Sequence, residues 1–599
     1  LDSSHQTLAT CLRQAGYRTG AFVGAFVLDV RFGLNHGFDV YDDHYGTEQG
    51  PLTFGFVERS ADRVLGAAAK WILGEKGGRA STPFFAWVHL FDPHAPYRAP
   101  RMQVADPYDN EVAFTDAEIA RFLGELDAAG QLDRTLIVVV ADHGEALGDH
   151  GEATHGLFAY DATLRIPLII AATGIRPRVV RAPVSQVDIL PTVLDLVGVP
   201  TPPAIQGRSV LGALGGATAD DRPIYFEALD ANLTRNWAPL TGVISDGWKY
   251  VDLPVPELYD LARDPGETNN LAAHEAARLR TLQQQLEDLR ARVTDRAAAP
   301  APIDADAAAR LRALGYTAAQ APAGSRKSRF SEADDPKNLI DLHRDYERAL
   351  TLAGQREPQA AIDLLRSVIQ RRPDFTAAYM NAASILIETG QAAAAVALLD
   401  EATRNGLATP ELTARQGAAY LAAAEPARAA AVLAPLVADG RGDLDAMNAF
   451  GIACWQLGRT DEARRIFQRA LDVDPSAAGT WNNLGLLEMA AGRAGEAAAA
   501  FERAVGTDPT YGPGWQGLGA ARVGRDGAGA IDAWKRAVEL VPNDYDILFN
   551  LAVLLADSDR PRDALPYLRR FLEEAPQGRY AEDLALVRKR IAEVERASR

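Results

Sequence analysis

Two runs near the start of the chain carry side chains suited to metal ligation and proton transfer. The first is Val139-Val140-Ala141-Asp142-His143-Gly144-Glu145, in which an apolar stretch ends on a carboxylate and an imidazole. A strand end fixes the backbone, and Gly144 permits a bend that can turn Asp142 and His143 toward one ion. Carboxylate with imidazole suits Mn²⁺ or Zn²⁺, whereas an all-oxygen set suits Ca²⁺. The plainer reading of the pair is a helix-capping aspartate and a structural histidine at a strand-helix turn. The second run is His89-Leu90-Phe91-Asp92-Pro93-His94-Ala95-Pro96-Tyr97, which follows the apolar stretch Phe84–Val88. Two prolines stiffen this loop and restrict the residues before them, which holds His94 out of the sheet. Eight of the ten histidines precede residue 156, so the chemistry belongs to the first part of the chain.

The elements around these runs read as α/β. Gly20–Leu28, Phe84–Leu90, Thr135–Ala141 and Ile166–Ala172 are short, β-rich and bounded by turn residues. Thr7–Ala15 and Asp116–Ala129 between them are amphipathic at helical spacing. The alternation predicts an α/β domain with a mostly parallel sheet, in which sites form at the C-terminal ends of strands. Both histidine runs sit at such ends. Cys11 falls inside an amphipathic helix and reads as a buried helix residue.

The chain's 599 residues suit two to four domains. A formal net charge of −18 argues against a nucleic-acid partner, because an acidic surface repels phosphate backbones. No uninterrupted apolar run is long enough to span a bilayer. Two cysteines, Cys11 and Cys454, exclude a disulfide framework. Residues 296–335 shift to Ala, Pro and mixed charge and read as a linker, with a short helix at Asp304–Leu314. Beyond it the sequence repeats. Pro475, Pro509, Pro542 and Pro576 are spaced 34, 33 and 34 apart. Gly451, Gly485 and Gly519 keep the same period, as do Ala463, Ala497, Ala530 and Ala564, and Trp481 with Trp515. Small residues let two helices approach, an aromatic fills the gap and proline ends the second helix. Residues 336–595 resemble about seven tetratricopeptide repeats, an all-α superhelix. Asn448, Asn482, Asn483, Gln516 and Asn550 read as amides on the outer faces of first helices, which either suit an extended peptide partner or are solvated or bonded within the repeats.

Asp142-His143-Gly144-Glu145 is followed by Gly148-Asp149-His150-Gly151, His155-Gly156, Tyr160-Asp161 and Arg165-Ile166-Pro167-Leu168. In this order the motifs resemble the sulfatase family of the alkaline phosphatase superfamily. Further matches run from Gln6-Thr7-Leu8-Ala9 through Asn35-His36-Gly37-Phe38-Asp39 and Val187-Asp188-Ile189 to Glu257-Leu258-Tyr259-Asp260. The resemblance spans residues 1–275 within a domain at 1–295, with a C-terminal subdomain at about 205–275. It implies that Asp142 and His143 ligate a divalent metal, Ca²⁺, Mn²⁺ or Zn²⁺. It implies that His94 binds sulfate or phosphate oxygens. His155 stands where the family often has a lysine contacting the anion and its leaving oxygen, so His94 and His155 are the expected catalytic pair.

The family's first strand carries two more aspartates, followed by a nucleophile in a Cys/Ser-x-Pro-x-Arg or Thr-x-Pro-Ser-His segment. No such segment occurs in these 599 residues. The expectation is a chain that begins mid-protein, with the nucleophile before Leu1, and that is inactive alone. Three functions follow: a sulfate or phosphate ester hydrolase with a repeat region for protein partners, an inert sulfatase-like binding protein, or a phosphoryl transferase. Members are often exported, which makes an exported or periplasmic location the expectation, with any export signal also upstream.

Overall fold

The computed structural model describes residues 5–45, 59–74, 82–95, 97, 102, 104–203, 205–215, 222–292, 327, 329–440 and 442–597. They group into two compact units, one reaching Ala377 and the other starting at Ala378. The helix expected at Asp304–Leu314 lies outside the described residues.

In the first unit, α1 (Leu8–Gln14) starts from a reciprocal cap. The Thr7 hydroxyl accepts from the Thr10 amide at 3.0 Å, and Thr10 Oγ1 accepts from the Thr7 amide at 2.8 Å. This satisfies donors that a first helical turn leaves unbonded. β1 (Arg18–Val23) follows and is the middle strand of a parallel sheet ordered β2-β1-β3, with β2 (Val40–Asp42) and β3 (Phe84–His89). The strand predicted to reach Leu28 stops at Val23, and Phe26–Leu28 forms a 3₁₀ turn. There the Gly24 carbonyl leaves the ladder to accept from the Arg59 amide at 2.8 Å. Parallel strands need a crossover, and between β2 and β3 lies α2 (Ala61–Leu73). Its Val64 and Ala68 pack on Phe22 of β1 and Val88 of β3.

α3 (Pro107–Ala128) begins nine residues before the predicted Asp116, since Asp106 caps the Tyr108 and Asp109 amides and Pro107 occupies the first turn. β4 (Ile137–Val140) pairs antiparallel with β5 (Leu168–Ala171), with α4 (Asp161–Leu164) between them. α5 (Ile189–Val197) packs Leu194 against Cys11 and Leu12, so Cys11 is a buried helix residue. After α6 (Leu211–Gly215) comes an antiparallel sheet ordered β6-β7-β8-β9. Its strands are β6 (Ile224–Ala228), β7 (Leu240–Ser245), β8 (Trp248–Asp252) and β9 (Glu257–Asp260), with α7 (Asp230–Arg235) after β6. Asp246 and Gly247, both at positive φ (53° and 75°), turn the β7–β8 hairpin, as a two-residue Asp-Gly loop does. α8 (Ala276–Arg292) lays Leu282 and Leu286 over Val243, Tyr250 and Leu258. Parallel pairing is thus confined, among the described residues, to the sheet that contains β1. The unit closes with α9 (Ile340–Gly354) and α10 (Pro358–Arg371).

The second unit is all helical among the described residues. Its hairpins pair Thr376–Glu388 with Ala392–Arg404, Pro410–Ala422 with Pro426–Ala438, Leu444–Gln456 with Thr460–Val473, and Ala478–Ala490 with Ala494–Thr507. Gly512–Arg522 with Gly527–Leu540, Tyr545–Ala556 with Leu565–Glu574, and the helix Ala581–Ala597 complete it. The repeat spacing has direct physical causes. Gly485 is small because a Cβ there would lie 2.6 Å from the Phe501 ring. Trp481 and Trp515 each donate Nε1–H to the carbonyl of the proline six residues earlier, Pro475 and Pro509, at 2.9 Å. Of the two alternatives for the amides of the first helices, bonding within the repeats is seen at Asn448 and Asn483. Asn482 is buried, Asn448 Nδ2 donates to Thr480 Oγ1 at 2.9 Å and Asn483 Nδ2 to Asn448 Oδ1 at 3.3 Å. Asn448 and Asn483 thus bond within the array, and Asn550 is the exposed one of the five.

Candidate active site

The end of β4 is held by Gln186, whose side-chain amide donates to the Ala141 carbonyl at 3.2 Å and the Asp142 carbonyl at 2.7 Å. Gly144 then passes so close to Ala162 that any Cβ would overlap the Ala162 carbonyl. This approach lets the chain turn between Asp142 and Glu145, and the Gly144 amide donates to the Thr163 carbonyl at 2.8 Å. The Asp142 carboxylate is 77% exposed and lies 3.8 Å from His143 Nε2. His143 Nδ1 is 2.9 Å from the Gly144 carbonyl, the geometry of an Nδ1–H donating to that oxygen.

The loop after β4 brings His155 back beside His143, with ring centroids 4.0 Å apart. His155 Nδ1 lies 3.3 Å from both carboxylate oxygens of Glu145, itself nearly inaccessible. The turn beyond is braced by buried Glu152, which accepts from the Leu157 amide at 2.6 Å and the Phe158 amide at 3.2 Å. From the end of β3, His94 completes the group, its ring 5.3 Å from that of His155. Phe91 stacks on His94 at 4.2 Å, and buried Glu111 of α3 accepts from the His94 amide at 2.9 Å. His94 Nδ1 lies 2.6 Å from the Ala95 carbonyl, which fixes the orientation of the ring. The structure therefore brings together the four residues singled out in the sequence, Asp142, His143, His94 and His155.

Electrostatics separates the two outer imidazoles. Burial pushes the His94 pKa below its ordinary value, and the neighbouring His155 and His143 add to the effect. Burial also opposes charge on His155. There the hydrogen bond to Glu145 and its negative charge, helped by Glu152 and Asp142, prevail and hold the pKa above the imidazole range. The two neighbouring imidazoles thus differ in their affinity for a proton, His155 holding one more tightly than His94. His89 is buried at the end of β3 with Nδ1 lacking a partner among the described residues, and burial lowers its pKa. Asp92 accepts from the Ala61 amide at the start of α2 at 2.7 Å, and burial pushes its carboxyl up to about 6.

Glu111, Gln186 and the orienting role of Glu145 escaped the sequence. Glu145 lies within the Asp-His-Gly-Glu run, ten residues before His155, and its neighbourhood to that histidine was the available signal. Glu111 and Gln186 carry no local signal, since they act across 17 and 44 residues of chain.

As a metal site, Asp142 and His143 offer two donors. Among the described residues no group of three or more His, Cys, Asp or Glu gathers to hold an ion. The residues present do not form a coordination shell by themselves.

Residues 1–199 match the Sulfatase family model, and residues 148–292 match that of the N-sulphoglucosamine sulphohydrolase C-terminal domain. Tetratricopeptide repeat models match residues 352–414, 415–478, 448–511 and 517–579. Choline-sulfatase of Rhizobium meliloti is 32% identical over 170 residues, 28% of this chain and 32% of that protein. Arylsulfatase K of Mus musculus is 30% identical over 188 residues, 30% of this chain and 34% of that protein. The chain thus spans about a third of the length of these relatives. Among solved structures, phosphonate monoester hydrolase from Silicibacter pomeroyi aligns at 23% identity with a TM-score of 0.40, over 49% of this chain and 82% of that one. The N-terminal part of this chain carries Sulfatase and N-sulphoglucosamine sulphohydrolase C-terminal family domains, and the C-terminal part carries tetratricopeptide repeats.

Proposed function

We propose that the residues around His94, His143 and His155 form the anion-recognising half of a site that hydrolyses sulfate esters, or phosphate esters of the same geometry. The observation that carries this reading is the convergence of three imidazoles from the ends of β3 and β4, with rings 5.3 Å and 4.0 Å apart. His94, whose affinity for a proton rises once an anion is bound beside it, contributes positive charge toward a non-bridging oxygen. His155, oriented by Glu145 at Nδ1, presents Nε2–H to the leaving oxygen and gives up its proton as the bond breaks.

Membership of the sulfatase family implies a divalent metal, with Asp142 and His143 as two of its ligands. The described residues do not complete a shell, so no step is assigned to Ca²⁺, Mn²⁺ or Zn²⁺ here. No nucleophile segment of the family pattern is read in this sequence, so the attacking group of the proposed reaction is left unassigned. A second reading, an inert sulfatase-like binding domain, draws on the same lack of a nucleophile segment. A phosphoryl transferase would share the anion site and differ in the acceptor. The repeats supply a surface for a protein partner.

Titration of the whole chain with inorganic sulfate, read by NMR of histidine ring protons, tests the proposal. Sulfate should shift His94 and His155 together, and His94→Ala should weaken binding. Sulfate binding that leaves both rings unmoved, or that is untouched by His94→Ala, refutes the assignment. Hydrolysis of 4-nitrophenyl sulfate that survives Asp142→Ala would place the chemistry elsewhere.

A further inference from the structure

The run Ser331-Glu332-Ala333-Asp334-Asp335-Pro336-Lys337 reads in the sequence as the end of a linker, yet two of its three carboxylates, Asp334 and Asp335, are buried. Asp335 is fully buried and Asp334 nearly so. A carboxylate taken out of water needs partners, and each has them on the α/β part of the first unit or on the hairpin that follows. Asp335 Oδ2 accepts from the Val255 amide at 2.9 Å, in the turn between β8 and β9. Lys337 Nζ donates to the Val255 carbonyl at 2.9 Å and to Asp335 at 3.1 Å, and lies 3.6 Å from buried Glu257. The Asp334 carbonyl accepts from the Ala238 amide at 2.9 Å, while its side chain pairs with Lys327 at 2.7 Å and Arg372 at 2.6 Å. Above this charged seam, fully buried Trp237 packs on Phe375 at 5.8 Å, and Phe375 on Tyr346 of α9 at 4.9 Å.

The seam connects with the loop that carries the candidate site. Glu257, the carboxylate that Lys337 approaches, accepts from the Tyr160 hydroxyl at 3.1 Å. Tyr160 stacks on His150 at 3.6 Å and ends the braced turn that starts at His155. On the other side of the loop, Gly151 lies against Ile340 of α9, where an added Cβ would sit 3.3 Å from Ile340 Cγ1. Two contacts from the first helical hairpin, one charged and one apolar, thus bear on residues 150–160.

We infer that residues 327–375 are a buttress of the α/β unit, in which Asp335 and Lys337 seat the first helical hairpin and, through Glu257 and Tyr160, hold the loop that presents His155. The hairpin α9–α10 matches the repeat pattern, but its docked face is occupied by its own chain and is not open to a partner. This inference does not depend on the reaction proposed above, because its readout is backbone protection rather than turnover.

Hydrogen exchange of the full chain is the test, with Lys337→Met and Asp335→Asn as perturbations and Lys337→Arg as the conservative control. Removing one partner of a buried charge pair leaves the other unpaired, so amides of residues 148–160 should exchange about tenfold faster or more. Helices from Ala478 to Ala556 should be unchanged, and Lys337→Arg should stay close to the parent. Should Lys337→Met unfold the unit, Ile340→Ala removes only the apolar contact and should still speed exchange at 148–152. Faster exchange in 340–371 with an unchanged 148–160 loop overturns the coupling. Unchanged exchange in both overturns the docking.

Discussion

Protonating His343 should loosen the hairpin α9–α10 from the first unit, by an amount that can be worked out. His343 lies on α9 with its side chain 16% exposed. Its Nδ1 has no hydrogen-bond partner among the described residues, and the nearest carboxylate oxygen, on Glu347, is 3.9 Å away. Burial, reinforced by the positive charge of Arg235, lowers its pKa to about 3. In the unfolded chain the value returns to about 6.5. The folded form therefore prefers the neutral ring: the stability is complete above pH ~6.5 and is lost progressively as pH falls toward about 3. At pH 5 the unfolded state gains about 1.5 pKa units of protonation at ~1.36 kcal/mol each, a loss of roughly 2 kcal/mol. That corresponds to about a thirtyfold rise in the opening constant of the hairpin. The assay is amide exchange of Ile340–Gly354 in the whole chain at pH 7 and pH 5, corrected for intrinsic rates, in the parent and in His343→Leu. The parent should lose about 2 kcal/mol of opening free energy between the two pH values and the leucine variant should lose none of that share. The same pH dependence in both proteins would refute the claim that His343 is buried neutral.

Asp92 gives a prediction of opposite sign. Its carboxyl is pushed up to about 6, so the folded state holds the proton more tightly, and stability falls as pH rises from ~3.9 through 6. Asp92→Asn should therefore gain on the parent by up to about 3 kcal/mol between pH 4 and pH 8 in urea unfolding, and a pH-independent difference would count against it. Glu145→Gln should lower the His155 pKa followed by NMR, because the carboxylate that offsets its burial is removed; an unmoved titration means that Glu145 does not set it. Gly485→Ala should destabilise the second unit by about 1–3 kcal/mol through overpacking against Phe501, and an unchanged melting temperature would show that the ring can give way.

The sequence by itself determined the class of each part. The repeat period was legible because one packing solution recurs: glycine facing an aromatic ring, and a tryptophan indole on a proline carbonyl, as at Gly485–Phe501 and Trp481–Pro475. Asp142, His143, His94 and His155 stood out as candidates because they lie in short runs after apolar strands, with residue types suited to chemistry. The groups that tune them did not. Glu111 reaches His94 from a helix 17 residues away and Gln186 clamps the strand end from 44 residues away, and neither distance leaves a local pattern. The asparagines of the repeats read as surface amides, and the structure bonds Asn448 to Thr480 and Asn483, since facing repeats supply the partners. The stretch 327–337 shows the same limit most plainly. Its charge and proline content match a solvated linker, and a carboxylate becomes a buried structural element only where a backbone amide such as that of Val255 and a cation such as Lys337 meet it. Local patterns follow from periodicity and backbone preference along the chain. Burial, pKa and the seating of one element on another depend on which distant groups the fold brings within a few ångströms.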